Sequence, residues 1–303
     1  MSGAAPTSIA SRDFRSGAHA WWLAIRPRTL GASVVPVLVG LAFASRERDI
    51  DVALAGATAL AALLLQIATN LANDYYDFAS GIDTAHRLGP VRAAASGLLP
   101  PQAVKRGAWG AAAGALVPGF WLVAHGGAPI LAIGAAAAVF AIAYSAGPAP
   151  LASLGFGEAL AFLFFGVVAV AGTALLQGSP ADATVILVGL PVAALVTAIM
   201  VVNNLRDIPT DSATGKRTLA VRLGDRGTRW IYSGLVAGAF AVLPAIALAV
   251  TPTALLPLVV LPAAVGEIRR LWSREGAALN QSLAGSARLH AFFGAAYALG
   301  LLR

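Results

Sequence analysis

The 303-residue chain contains no cysteine. Disulfides, thiolate metal sites, iron–sulfur clusters and cysteine nucleophiles are therefore excluded. Charge is also scarce: Asp, Glu, Lys and Arg make up 12% of the residues, about half of the roughly 25% usual in soluble domains. Residues 1–20 lack the apolar stretch of roughly 7–15 residues that marks a signal peptide and read as a polar N-terminal tail. The remainder is apolar, with 58% hydrophobic residues and a mean hydropathy of +0.77. Length alone allows two soluble domains. The composition points instead to one all-α integral membrane bundle over residues 21–303, and its 32 glycines suit close helix packing in lipid.

A bilayer-spanning helix needs about 20 mostly apolar residues. Nine stretches qualify: 27–44, 52–72, 107–124, 128–146, 157–176, 183–204, 229–250, 252–268 and 285–302. Thr251-Pro252-Thr253 supplies the turn between the seventh and eighth. The net charge of +7 is explained by topology rather than by nucleic acid, because basic residues gather on cytoplasmic loops. With the N-terminus inside, nine spans place 18 of the Lys and Arg residues on the cytoplasmic side and leave only Arg46, Arg48 and Arg303 outside. The expected location is the cell membrane, with the C-terminus outside. Two cytoplasmic connections, 73–106 and 203–228, are long and polar, and long connections between packed helices are commonly functional.

Those connections carry two groups of acids. In the first, Asn70, Asp74 and Asp77 recur at i, i+4 and i+7 and share a helix face, with Asn73 beside them; Gly81 ends the helix and Asp83 returns from the loop. In the second, Asn203 and Asp207 share a face, Pro209 disfavours a continuous helix, and Asp211 follows the break. Carboxylates crowded in a partly apolar site repel one another. A divalent cation relieves that repulsion, and Mg²⁺ typically takes one or two carboxylates together with substrate phosphates. Two such ions, held by Asp74, Asp77, Asp83, Asp207 and Asp211, would clamp a diphosphate. Arg92, Lys216 and Arg217 lie close by in sequence and suit phosphate oxygens. Gly215-Lys216-Arg217-Thr218 is not a P-loop, because the first glycine and the preceding strand are missing. The histidines show no metal-ligand spacing.

Together these motifs resemble the UbiA superfamily of intramembrane prenyltransferases, and its naphthoate-prenylating branch in particular. The residues carrying the resemblance are Asn73-Asp74-Tyr75-Tyr76-Asp77-Phe78, Gly81-Ile82-Asp83, Gly89-Pro90-Val91-Arg92, Asn203-Asn204-Leu205-Arg206-Asp207 with Asp211, and Gly215 through Gly224. The similarity spans about residues 21–302.

The resemblance implies a Mg²⁺-dependent enzyme that joins a polyprenyl diphosphate to 1,4-dihydroxy-2-naphthoate, releasing diphosphate and carbon dioxide, in menaquinone biosynthesis. Asp74, Asp77, Asp207 and Lys216 would be catalytic. Asn70, Asn73, Asn203, Arg92, Lys216 and Arg217 would hold the diphosphate. Arg26, Arg28, Tyr144 and Glu158 are candidates for the acceptor, and Tyr75, Tyr76 and Tyr144 for π-face stabilisation of the prenyl cation. Another aromatic acceptor, a cation-coupled transporter and a membrane phosphatase remain alternatives on the residues alone.

Overall fold

The computed structural model describes residues 14–81, 89–145 and 150–303; for residues 14–16, 28, 142 and 145 it describes the backbone alone. Among the described residues the chain is all helical, with no strand. The order is α1 (Phe14–Ile25), α2 (Pro27–Ala44), α3 (Val52–Ala79), α4 (Pro101–Ser145), α5 (Gly157–Leu160), a π-helical stretch (Ala161–Val168), α6 (Ala169–Leu176), α7 (Ala183–Ala213), α8 (Leu219–Ala241), α9 (Leu243–Ala249), a 3₁₀ stretch (Pro252–Val260), α10 (Leu261–Ser273) and α11 (Leu279–Leu301). The chain is a multi-pass membrane protein. Val52–Ala79, Pro101–Ala141, Gly157–Leu176, Ala183–Ala213 and Leu219–Ala249 are each long and apolar enough to cross a bilayer, and α1 with α2 forms a further apolar pair bent by 53°.

The continuous run of α4 contains two crossings. Gly127 has a non-helical backbone (φ 65, ψ −152) and Pro129 follows it. Lys105, before the bend, and Tyr144, after it, both lie at the end of the bundle that holds the acids, whereas Leu122 and Ile130 pack on Leu54 at the far end. Counting α4 twice, and joining α1 to α2, α5 to α6, α8 to α9 and the 3₁₀ stretch to α10, the described residues make about nine helical passes.

The far end is closed by short connections with capped helices. Asp51 accepts from Ala53 N and Leu54 N at the start of α3, and Asp182 accepts from Thr184 N and Val185 N at the start of α7. Both caps satisfy amides that helix geometry leaves without partners. The Gln177 side chain ties α6 to this end by accepting from Asp51 N at 2.8 Å and donating to Asp51 O at 3.2 Å.

Several boundaries differ from the sequence-based expectations. α1 begins at Phe14, inside the stretch read as a tail, because Ala20 and Ala24 bury against Leu71, Ala93 and Val104. The polar connections are shorter than expected: α3 runs to Ala79 and α7 to Ala213, so both acid groups ride on helices. Pro209 does not break α7. Its missing amide costs one backbone bond, to Leu205 O, and the helix is carried past it by burial of Leu205, Arg206, Asp207 and Asp211 on the packed face of α7. The expected eighth span at 252–268 is 3₁₀ over its first nine residues, where Pro252 and Pro257 withhold amide donors. Gly81 (φ +70) ends the first acidic helix as expected.

Candidate active site

The two acid groups meet through a lysine. Asp77 lies near the end of α3. Asp207 and Asp211, four residues apart, lie near the end of α7. Gly215 (φ +78) turns the chain out of α7, and Lys216 then reaches back across the bundle. Its Nζ lies 3.3 Å from Asp77 Oδ1 and 4.0 Å from Asp211 Oδ1. Arg92 Nη2 donates to the other oxygen of Asp77 at 3.1 Å. One carboxylate from the first motif and one from the second thus share a single ammonium.

Asp74 is built differently. It is 1% exposed, and its two oxygens accept from Ala93 N (2.9 Å) and Ala94 N (3.2 Å). These amides directly follow Arg92, so Asp74 fixes the segment that presents that guanidinium. Asn70 is equally committed. Its Nδ2 donates to Ile25 O (2.9 Å) and Thr29 Oγ1 (3.1 Å), and its Oδ1 accepts from Gln66. This holds the joint between α1 and α2, where Arg26 adopts a left-handed backbone (φ 53). Such a conformation costs a non-glycine residue about 1–3 kcal/mol and is concentrated at functional sites.

Arg206, placed by topology among the cytoplasmic cations, is fully buried. Its Nε and Nη2 grip Asp207 at 2.8 and 2.7 Å, Nη2 also donates to Asn203 Oδ1 at 2.8 Å, and Nη1 donates to Asn280 Oδ1 at 2.9 Å. A buried guanidinium is tolerable only when its donors are satisfied. This fork fixes Asp207 and pins the start of α11 to α7.

Glu158 opens the helix that passes through the π-helical stretch, a form frequent at functional sites. It is 6% exposed. Asn204 Nδ2 donates to its Oε1 at 2.8 Å, and its Oε2 has no hydrogen-bond partner in the structure. Tyr144 is half-buried beside Met200 and lies within electrostatic reach of Glu158, Asp77, Asp211 and Arg26. Tyr75 is turned elsewhere: its ring packs edge-on against Tyr76 and is covered by Lys105 Nζ at 5.1 Å, which makes it a poor partner for a prenyl cation. Asn73 is half-buried on α3 and Arg217 is exposed, its backbone amide bonded to Ser153 O at 2.9 Å. Asp83 lies outside the described residues, as do the side chain of Arg28 and the first 13 residues of the tail.

Among the described residues no three carboxylates or imidazoles converge into a ready-made metal cage. The donors present are hard oxygens, which suit Mg²⁺, and that ion habitually relies on substrate phosphates for part of its shell. The bridging position of Lys216 shows that Asp77 and Asp211 can share one cation. Charge balance points the same way. Asp74, Asp77, Glu158, Asp207 and Asp211 are offset by Arg26, Arg92, Arg206 and Lys216, so an incoming diphosphate would be left largely uncompensated by the protein alone.

Sequence reasoning missed Arg206, Asn204 and Asn280 as working parts of the site. The Asn203-Asn204 doublet was a usable signal, since successive helical positions face different neighbours; Asn280 was marked only by a weak resemblance of Leu279-Asn280 to the last segment of the family.

Comparison with known proteins bears on the family and the fold. The model of the UbiA prenyltransferase family matches residues 33–294. The 1,4-dihydroxy-2-naphthoate octaprenyltransferase of Mycobacterium tuberculosis is 38% identical over 245 residues, covering 81% of this chain and 83% of that protein. The enzyme of the same name from Bacillus subtilis is 31% identical over 285 residues, covering 93% and 91%. A solved UbiA homolog from Archaeoglobus fulgidus, bound to DMAPP and Mg²⁺, shares the fold with a TM-score of 0.62 and 14% identity, covering 92% of this chain and 99% of that one.

Proposed function

As the chain belongs to the UbiA prenyltransferase family, we propose that it transfers a polyprenyl group from polyprenyl diphosphate to 1,4-dihydroxy-2-naphthoate, releasing diphosphate and carbon dioxide and giving demethylmenaquinol for menaquinone. The acceptor assignment is supported by relatives named for that substrate across most of their length. The site assignment is carried by one observation, the lysine that bridges Asp77 and Asp211.

In this reading Asp77, Asp207 and Asp211 supply the oxygens that hold Mg²⁺, with Asp83 completing the set. Two bound ions would neutralise the diphosphate and stabilise charge on the leaving oxygen. Lys216 moves from the carboxylates to the diphosphate, and Arg92 and Arg217 donate to its remaining oxygens. Asp74 and Asn70 act at one remove, holding Arg92 and Arg26 in place; Asn73 and Asn203 hydrogen-bond around the acids.

The allylic C–O bond breaks with its electron pair on the diphosphate. The acceptor carbon that bears the carboxylate attacks the prenyl carbon. The carboxylate then leaves as carbon dioxide, and the pair from the broken C–C bond restores the aromatic ring. The Tyr144 ring lies against the developing cation. The free Oε2 of Glu158 accepts a hydrogen bond from an acceptor hydroxyl, and Arg26 pairs with the acceptor carboxylate until it departs. The catalytic unit is residues 21–303, its acidic end and N-terminus face the cytoplasm of a cell membrane, and the prenyl chain extends among the apolar helices toward lipid.

The test is purified protein with Mg²⁺, a polyprenyl diphosphate and a panel of aromatic acids, with products identified by mass. Prenylated, decarboxylated naphthoate is expected. Selective turnover of 4-hydroxybenzoate would replace the acceptor while leaving the family reaction intact.

A further inference from the structure

A second polar site lies between α10 and α11, away from the acids just described. A pocket of about 440 Å³ is lined by Glu267, Arg270, Arg274, Gln281, Ala284 and Arg288. On α11 the lining residues Gln281, Ala284 and Arg288 recur at i, i+3 and i+7 and form a stripe of their own. Asn280, which bonds Arg206, faces the active site instead.

The pocket is held in shape from behind. Glu267 is 3% exposed and occupies space left by Gly285, where a Cβ would overlap its carboxylate. From there it pairs with Arg270 Nη1 at 3.1 Å and Arg274 Nη1 at 3.7 Å. Arg274 also donates to Ser282 Oγ at 3.1 Å. Arg229, paired with Asp225, donates to Leu271 O and Arg274 O and so fixes the end of α10. Arg288 is exposed and has no carboxylate partner among the described residues. Three guanidinium groups against one carboxylate leave a local excess of positive charge on the protein surface.

Depth in the bilayer decides what such a pocket meets. Trp230 and Trp272 are both exposed and stack edge to face at 5.1 Å, and the Trp272 indole N–H donates to Ser233 Oγ. Exposed indoles mark the membrane–water interface, and Trp272 lies on the same short helix as Glu267 and Arg270. The arginine pocket therefore opens at headgroup depth, where phosphates are abundant. Guanidinium forks bind phosphate oxygens bidentately, and basic pockets between membrane helices hold anionic headgroups.

We propose that the groove between α10 and α11 binds the phosphodiester headgroup of an anionic phospholipid through Arg270, Arg274 and Arg288. The site is independent of the acceptor chemistry and of the diphosphate site.

Native mass spectrometry of the full chain, with phosphatidylglycerol or phosphatidylcholine added to the micelle, tests this. The wild type should retain phosphatidylglycerol at least about tenfold better than phosphatidylcholine. Arg288→Gln, which disturbs no pairing seen in the structure, should lower that preference, and the Arg270→Gln/Arg288→Gln double variant should abolish it. Arg46→Gln, at the far end, should leave it unchanged. Equal retention of the two lipids, or a double variant that behaves as wild type, would overturn the proposal. Displacement of the lipid by millimolar inorganic phosphate would overturn the lipid assignment in favour of a soluble anion.

Discussion

At the scale of single residues, the acids of one motif divide between two tasks. Asp74 accepts two buried backbone amides, each of which would lose about 1–3 kcal/mol if left without a partner. Asp77 is tied only to cations that a substrate can claim. Asp74→Ala is therefore expected to lower thermal stability in detergent and to lose activity, whereas Asp77→Asn should lose activity with little change in melting temperature. Lys216→Ala should reduce diphosphate release by roughly 10²–10³-fold, the usual effect of removing one transition-state donor, and Lys216→Arg should retain much more of the rate in the same assay. The spacing of Asn70, Asp74 and Asp77 correctly put them on one face, yet it could not show which would turn to backbone and which to the site. Asp74's partners are amides of an irregular segment, which carry no residue-type signature. Arg206 was read as one of many topological cations because burial, the property that sets it apart, is tertiary.

At the scale of elements, hydropathy was sufficient to find the spans, since about 20 apolar residues in a row have few other uses. It misjudged where the helices stop, because paired acids and amides let α3 and α7 run past their apolar stretches. The Pro209 expectation failed because local proline chemistry was outweighed by the packing of α7. The close approach of the π-helical stretch to α7 was not legible either. A Cβ on Gly166 would overlap Ala193. Gly166→Val is expected to destabilise the protein by about 1–3 kcal/mol, the range for overpacking, read as earlier loss of the monodisperse peak on heating. Ala193→Gly should restore stability in part to Gly166→Ala.

At the scale of the whole molecule, the alternation of passes brings residues 139 positions apart to one end, and the distribution of Lys and Arg had placed both motifs on one side before any coordinates. The chain lacks cysteine, so single introduced thiols report sidedness cleanly. Ser212→Cys, beside the acids, should react with an impermeant maleimide only after permeabilisation, and Ala181→Cys, at the far end, should react in intact cells. The reverse pattern would invert the proposed orientation. The central claim is that Asp77 and Asp211 act as one cation site. It is tested most directly by titrating Mn²⁺, followed by electron paramagnetic resonance, into the purified protein with a polyprenyl thiodiphosphate. Asp77→Asn and Asp211→Asn should each weaken Mn²⁺ binding, and the double variant should lose less than the sum of the two. Unchanged affinity in both single variants, or fully additive losses, would contradict it.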